Sequence, residues 1–151
     1  EALAYPGGLG DSVLVSDWDG NWTALDLAAE LAPEHDVEVV TGAYTAGESV
    51  QQYRQNTLLE RLDEFGVGLT PHHRVRAVRE DAVVLENLFS ERTERRTGVD
   101  TVAFAHGGAA DYGLFRDLDA AGHDVERVGD CWAPRSLDEA VWEGFEAAVE
   151  L

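Results

Sequence analysis

The apolar positions of the chain change their spacing in a regular order. Ser12-Val-Leu-Val-Ser16 is a short unbroken apolar run, which predicts a strand buried on both faces. After the polar turn DWDGN, residues Leu25, Ala28, Ala29 and Ala32 recur at helical spacing, with Pro33 beyond the end. Val37, Val39 and Val40 then predict a second strand that closes at Thr41-Gly42. Strand, helix, strand in this order is a βαβ unit with a right-handed crossover. A loop, AYTAGES, leads to a second helix predicted from Ser49 to Phe65, with Val50, Tyr53, Leu58, Leu62 and Phe65 on its inner face and Gly66 just past its end. Val67 to Thr70 predicts a third strand.

The period then drops to two. Over residues 73–99, Val75, Val78, Val83, Leu85 and Leu88 are interleaved with charges, with turns near Glu80-Asp81 and Ser90, which predicts a three-stranded antiparallel meander. Thr101 to Ala105 returns to a buried strand, and Gly107-Gly108 ends it. A helix is expected from Asp111 to Ala121 with Gly122 as its stop, then a last strand from Val125 to Val128. Ser136-Leu-Asp-Glu139 has the form of a capping box, opening a final helix with Leu137, Val141, Phe145 and Ala148 inward. Trp18, Trp22, Trp132 and Trp142 are assigned to the core or to an interface. The fold class is therefore α/β: a Rossmann-like parallel sheet of about five strands with flanking helices and a β-meander crossover, the fifth strand added beside TVAFA.

Length and charge narrow the setting. The 151 residues suffice for a real core, and no apolar run approaches the length of a membrane span. The first residues, EALAYPGGLG, lack the basic and apolar regions of a secretory signal and read as a tail over residues 1–11. There are 30 acidic residues against 11 basic ones, a net charge of -19, and every basic residue is Arg. A carboxylate-rich surface without Lys repels itself unless salt screens it, so a cytoplasmic protein of a high-salt organism is expected. The same charge argues against a nucleic-acid partner, and no membrane partner is expected. One Cys excludes an internal disulfide and a multi-Cys metal site. The chain has no Met and reads as a piece of a longer or processed one.

Several stretches together resemble one family: DGNWTALDLAAELA, SVQQYRQNTLLERLDEFGVGL, TVAFAHGG, and above all GDCWAPR followed by the helix SLDEAVWEG. They resemble the C-terminal part of flavin oxidoreductases of the 2,4-dienoyl-CoA reductase and trimethylamine dehydrogenase type. That resemblance implies a parent chain in which a barrel carries FMN and an iron–sulfur cluster. It implies that residues 12–106 are an NAD(P)-binding-type domain and residues 107–151 the returning end of an FAD- or ADP-binding domain, here packed onto the same domain. The barrel domain would be the main partner; a homodimer through an unpaired strand is the other arrangement considered.

The candidate cofactor-binding residues follow from the fold and the resemblance: Asp19, Gly20 and Asn21 in the turn after the first strand, Thr41 and Gly42 after the second, and Gly107, Gly129 and Asp130 in the last third. A pyrophosphate seat needs several glycines before a helix N-terminus. Only Gly20 stands there, between Asp17, Asp19 and the bulky Trp22, and carboxylates repel a diphosphate. A connecting turn capped by Asp19 or Asn21 is the favoured reading. The end of the second strand has neither an acid for a ribose hydroxyl nor an Arg for a 2′-phosphate, and Arg and Pro are missing from the turn after TVAFA. Asp17, Asp19 and Asn21 begin like a calcium loop, but position 28 is Ala where the last ligand belongs. His72-His73 reads as a loop, His106 as a hydrogen-bonded residue lining a cleft, and Cys131 as packing. Asp130 has the chemistry for a sugar hydroxyl. No catalytic or metal-binding residue is assigned. The expectation is a fragment without catalysis and without bound cofactor, with FAD, ADP or NAD(P) as the groups to consider. The alternative is a structural or protein-interaction domain whose nucleotide sites have decayed.

Overall fold

The computed structural model describes residues 8–150. The chain divides into two compact units at the His106–Gly107 boundary.

The first unit is a three-layer α/β arrangement. Strands β1 (Ser12–Asp17), β2 (Asp36–Thr41), β3 (Gly68–Thr70) and β7 (Thr101–Ala105) form one parallel sheet in the order β3-β2-β1-β7. Its register sets Val15 beside Val39 on one side and Ala103 on the other. Alternate residues of β1 and β2 face opposite layers, as a pleated strand requires. Val13, Val15, Val37 and Val39 pack under helices α1 (Trp22–Leu31) and α2 (Gln52–Glu64), against Leu25, Ala28, Ala29, Leu58 and Leu62. Leu14 and Val40 face the other way, against Val83 and Leu85. Those two residues belong to the antiparallel meander of β4 (His73–Val78), β5 (Val83–Asn87) and β6 (Thr93–Arg96), as the change to period two predicted. The unbroken apolar run of β1 thus reflects two dry layers.

The boundaries differ where local hydrogen bonds intervene. Helix α2 begins at Gln52, not Ser49, because the Ser49 and Val50 N–H groups turn back to the Gly20 and Gly47 carbonyls. Gly47 has φ +71°, and a Cβ there would stand 2.6 Å from Leu25 Cδ1, so the turn lies tight against α1. Of the inner-face residues expected on α2, Leu58 and Leu62 are buried, whereas Tyr53 and Phe65 are exposed. Gly66 ends the helix at φ +71°, and the Val67 N–H donates to the Leu62 carbonyl. At the other end of the unit, Leu9 packs against the helix-side core and the Gly10 carbonyl accepts from His35 Nδ1 at 2.9 Å.

The second unit holds α3 (Gly113–Ala120), a single 3₁₀ turn at Gly129–Cys131, and α4 (Leu137–Glu150). Helix α3 starts two residues later than expected because Asp111 Oδ1 takes the Gly113 N–H at 3.0 Å. The parallel sheet has four strands, and Val125–Val128, expected as a further strand, forms none. A strand exists only where a neighbour completes its ladder, and among the described residues of this unit there is no second strand. The side chains placed inward on α4 are exposed: Leu137 is 80% accessible and Phe145 60%, and Val141 and Ala148 are exposed as well. The four Trp residues assigned to core or interface are also exposed.

Candidate nucleotide-facing site

In an open parallel sheet, ligands lie beyond the carboxyl ends of the strands, where the connections run to opposite sides. Here that point falls between β1 and β7, and β1 delivers Asp17 to it. Asp17 is 3% exposed. Its Oδ1 accepts the Gly20 N–H at 3.0 Å, while Oδ2 is buried without a hydrogen-bond partner among the described residues. Burial raises the Asp17 carboxyl above its ordinary range and the nearby Asp19 adds to this, against the Thr41 hydroxyl and the Gly20 N–H, which oppose it.

The turn after β1 is closed by the protein itself. Gly20 adopts φ +61°, and the space where its side chain would stand is bounded by Ala43 Cβ at 3.6 Å and Ser49 Oγ at 3.7 Å. The Ser49 N–H donates to the Gly20 carbonyl at 2.9 Å, and the Ser49 hydroxyl to the Asp19 carbonyl at 3.3 Å. Asn21 caps α1, its Oδ1 accepting the Thr23 N–H at 2.8 Å. The capping role given to this turn therefore falls to Asn21. The Gly20 and Thr23 amides, which a phosphate would need, already have side-chain acceptors, and a buried acid stands behind them. These residues do not fit a pyrophosphate.

At the end of β2, Thr41 is buried and its hydroxyl accepts the Ala43 N–H at 3.2 Å. Gly42 lies under the meander, where a Cβ would meet Leu88 Cδ1 at 3.1 Å. The strand order thus brings Asp19, Gly20, Asn21, Thr41 and Gly42 to one end of the sheet. His106, just past β7, reaches the same end and shares a 2.9 Å hydrogen bond between Nε2 and the Ser16 hydroxyl. Its ring meets Phe104 edge-on at 5.0 Å and lies 6.1 Å from Trp18.

Sequence reasoning missed the Ser16–His106 pair, although strand parity carried a signal, since Ser16 shares the face of Leu14. His72, read as a loop residue, has φ +61° and packs edge-on against Tyr44 and Phe89 at 5.3 and 5.1 Å.

The remaining candidates lie in the second unit. Gly107 is exposed at φ +83°. Gly129 is buried at φ +60°, and a Cβ there would stand 3.1 Å from Ala140 Cβ. Its N–H donates to Glu143 Oε2 at 2.7 Å, and the same carboxylate pairs with Arg135. The Glu139 carboxylate accepts the Ser136 N–H at 3.2 Å, which is the reach-back half of the capping box. The pattern GDCWAPR…EAVWEG is therefore a lock: Gly129, Arg135, Ala140 and Glu143 fasten a turn to a helix. Asp130 is exposed beside it.

No protein-family model and no curated protein matches the sequence. Solved structures do. Histamine dehydrogenase from Rhizobium sp. 4-9 superposes with a TM-score of 0.84 at 25% identity, over 95% of this chain and 23% of that one. The 6-hydroxypseudooxynicotine amine oxidase of Pseudomonas geniculata N1 gives 0.82 at 24% identity, over 95% and 23%. A 2-naphthoyl-CoA reductase gives 0.75 at 21% identity, over 95% and 21%. The chain spans less than a quarter of the length of these proteins. It is similar, over nearly all of its own length, to a region of the flavin-dependent oxidoreductases of the trimethylamine dehydrogenase and 2,4-dienoyl-CoA reductase type, the family that GDCWAPR and its companion segments implied.

Proposed function

We propose that the chain is the C-terminal nucleotide-fold region of a flavin-dependent oxidoreductase, and that by itself it neither catalyses nor holds a dinucleotide at the turn after β1. The observation that carries this reading is the closed turn itself. Gly20 and Asn21 are engaged with Asp17, Ser49 and Thr23, so no open row of amides faces the end of the sheet. Calorimetric titration of the chain with NADH, NADPH, ADP and FAD tests it. Weak or no heat is expected for the two nicotinamide nucleotides, and binding at micromolar concentration would overturn the reading. FMN and an iron–sulfur cluster belong, on this proposal, to a barrel encoded upstream; a gene without one would remove the parent enzyme.

A purely structural or interaction role is the second reading. The exposed apolar side chains of α4, among them Leu137, Val141 and Phe145, favour it. The proposed setting is cytoplasmic and salt-rich, since a net charge of -19 with no Lys calls for screening. The unfolding midpoint should rise from low salt to molar KCl; a flat profile would remove the halophilic setting.

A further inference from the structure

On the sheet face opposite α1, a cleft of about 480 Å³ opens at the end of β1. Its lining is Ser16, Asp17, Trp18, Arg74, Arg76 and His106, with Val75 at its base. It shares Asp17 and Trp18 with the turn after β1 but opens toward the meander layer, the side that Leu14 and Ser16 face.

The charges in this cleft run against those of the whole molecule. Arg74 and Arg76 lie on β4 on either side of Val75, with the strand register shifting at Arg76, and both side chains reach the same carboxylate. Glu86, opposite Arg74 in the register, accepts from Arg74 Nε at 2.7 Å and stands 3.9 Å from Arg76 Nε. One carboxylate thus faces two guanidinium groups, and the terminal nitrogens of their planar forks are left for a ligand. Asp17 is the other acid in the lining, with its Oδ1 taken by the Gly20 N–H at 3.0 Å. The wall is aromatic: Trp18 is 58% exposed and its ring stands beside His106, which in turn meets Phe104.

Two guanidinium groups balanced by Glu86 and Asp17 hold no excess charge for a dianion, so the anion that suits their free nitrogens is a monoanion. A net charge of -19 penalises a dianion further and keeps non-specific anion binding low. We propose that this cleft binds a small aromatic carboxylate, with its carboxylate on Arg74 and Arg76 and its ring against Trp18. The proposal is independent of whether any nucleotide binds at the turn after β1.

Tryptophan fluorescence of the 151-residue chain at constant ionic strength tests this, with benzoate as the probe. Acetate carries the charge without the ring, benzyl alcohol the ring without the charge, and phenyl phosphate the ring with a second charge. Benzoate should quench saturably and bind at least tenfold more tightly than each of the other three. Trp18→Phe should remove most of the quenching, which separates Trp18 from the other three Trp residues. Arg76→Gln, at an exposed position that should leave the far-UV circular dichroism unchanged, should weaken benzoate at least tenfold. Absence of saturable quenching, unchanged affinity in Arg76→Gln, or phenyl phosphate binding as tightly as benzoate would each overturn the proposal.

Discussion

The two units differ in how their helices are anchored. In the first, Leu25, Ala28, Leu58 and Leu62 of α1 and α2 are buried against a sheet whose central strands are dry on both faces. In the second, no hydrophobic side chain of α3 or α4 is buried among the described residues. What orders that unit is polar and backbone chemistry: the Gly129–Glu143–Arg135 lock, and Arg127 set 4.6 Å from the Trp132 ring and 4.9 Å from Phe115. Amphipathic spacing is the same kind of signal in both. It becomes burial only where a sheet supplies the opposing face.

The largest contrast should come from truncating equivalent positions. Leu62→Ala removes a fully buried side chain and should cost about 3 kcal/mol of unfolding free energy, read from the urea midpoint of the first unit. A loss below about 1 kcal/mol would mean that the helix layer is not the anchor it is taken to be. Next is the lock. Glu143→Ala leaves the Gly129 N–H without its acceptor and Arg135 without its partner, an expected loss of about 1–2 kcal/mol, seen as faster exchange of the Gly129 amide. Unchanged exchange would remove the lock as the feature that orders the second unit.

Asp17 sharpens the comparison from inside the first unit. Its folded carboxyl is raised above the ordinary 3.8, so the folded protein holds that proton more tightly than the unfolded chain does. Stability linked to it is full below the ordinary value and is lost as pH rises through the raised one. Asn keeps an oxygen for the Gly20 N–H and cannot ionise. Asp17→Asn should therefore unfold at higher urea than the parent near pH 7, with the gap closing toward about pH 3. A gap that widens on acidification would reverse the sign. The smallest effect is expected on α4: Phe145→Ala, at a side chain 60% exposed, should change stability by about 0.5 kcal/mol or less. A loss comparable to that of Leu62→Ala would erase the contrast between the units.

Much of the fold was legible because its signals are local. The doubly buried β1, the amphipathic α1, the switch to period two at His73 and the stop at Gly66 each rest on spacing within a few residues. The candidate site was less legible. Asn21 as a cap could be read, since it acts two residues away. The engagement of Gly20 by Asp17 and Ser49, the Ser16–His106 bond across β1 and β7, and the pairing of Glu143 with Gly129 and Arg135 join residues 3 to 90 positions apart through the path of a turn, a loop or a sheet. No periodicity encodes these contacts.

The sequence by itself determined the order of strands and helices in the first unit, the meander and the family likeness, because apolar period and the GDCWAPR–EAVWEG pattern are properties of neighbouring residues. Only the tertiary structure decided that the turn after β1 is closed, that a basic, aromatic cleft opens on the meander side, and that Val125–Val128 forms no strand. Each of these depends on what stands opposite: an amide needs an acceptor, a charge needs neighbours, and a strand needs another strand.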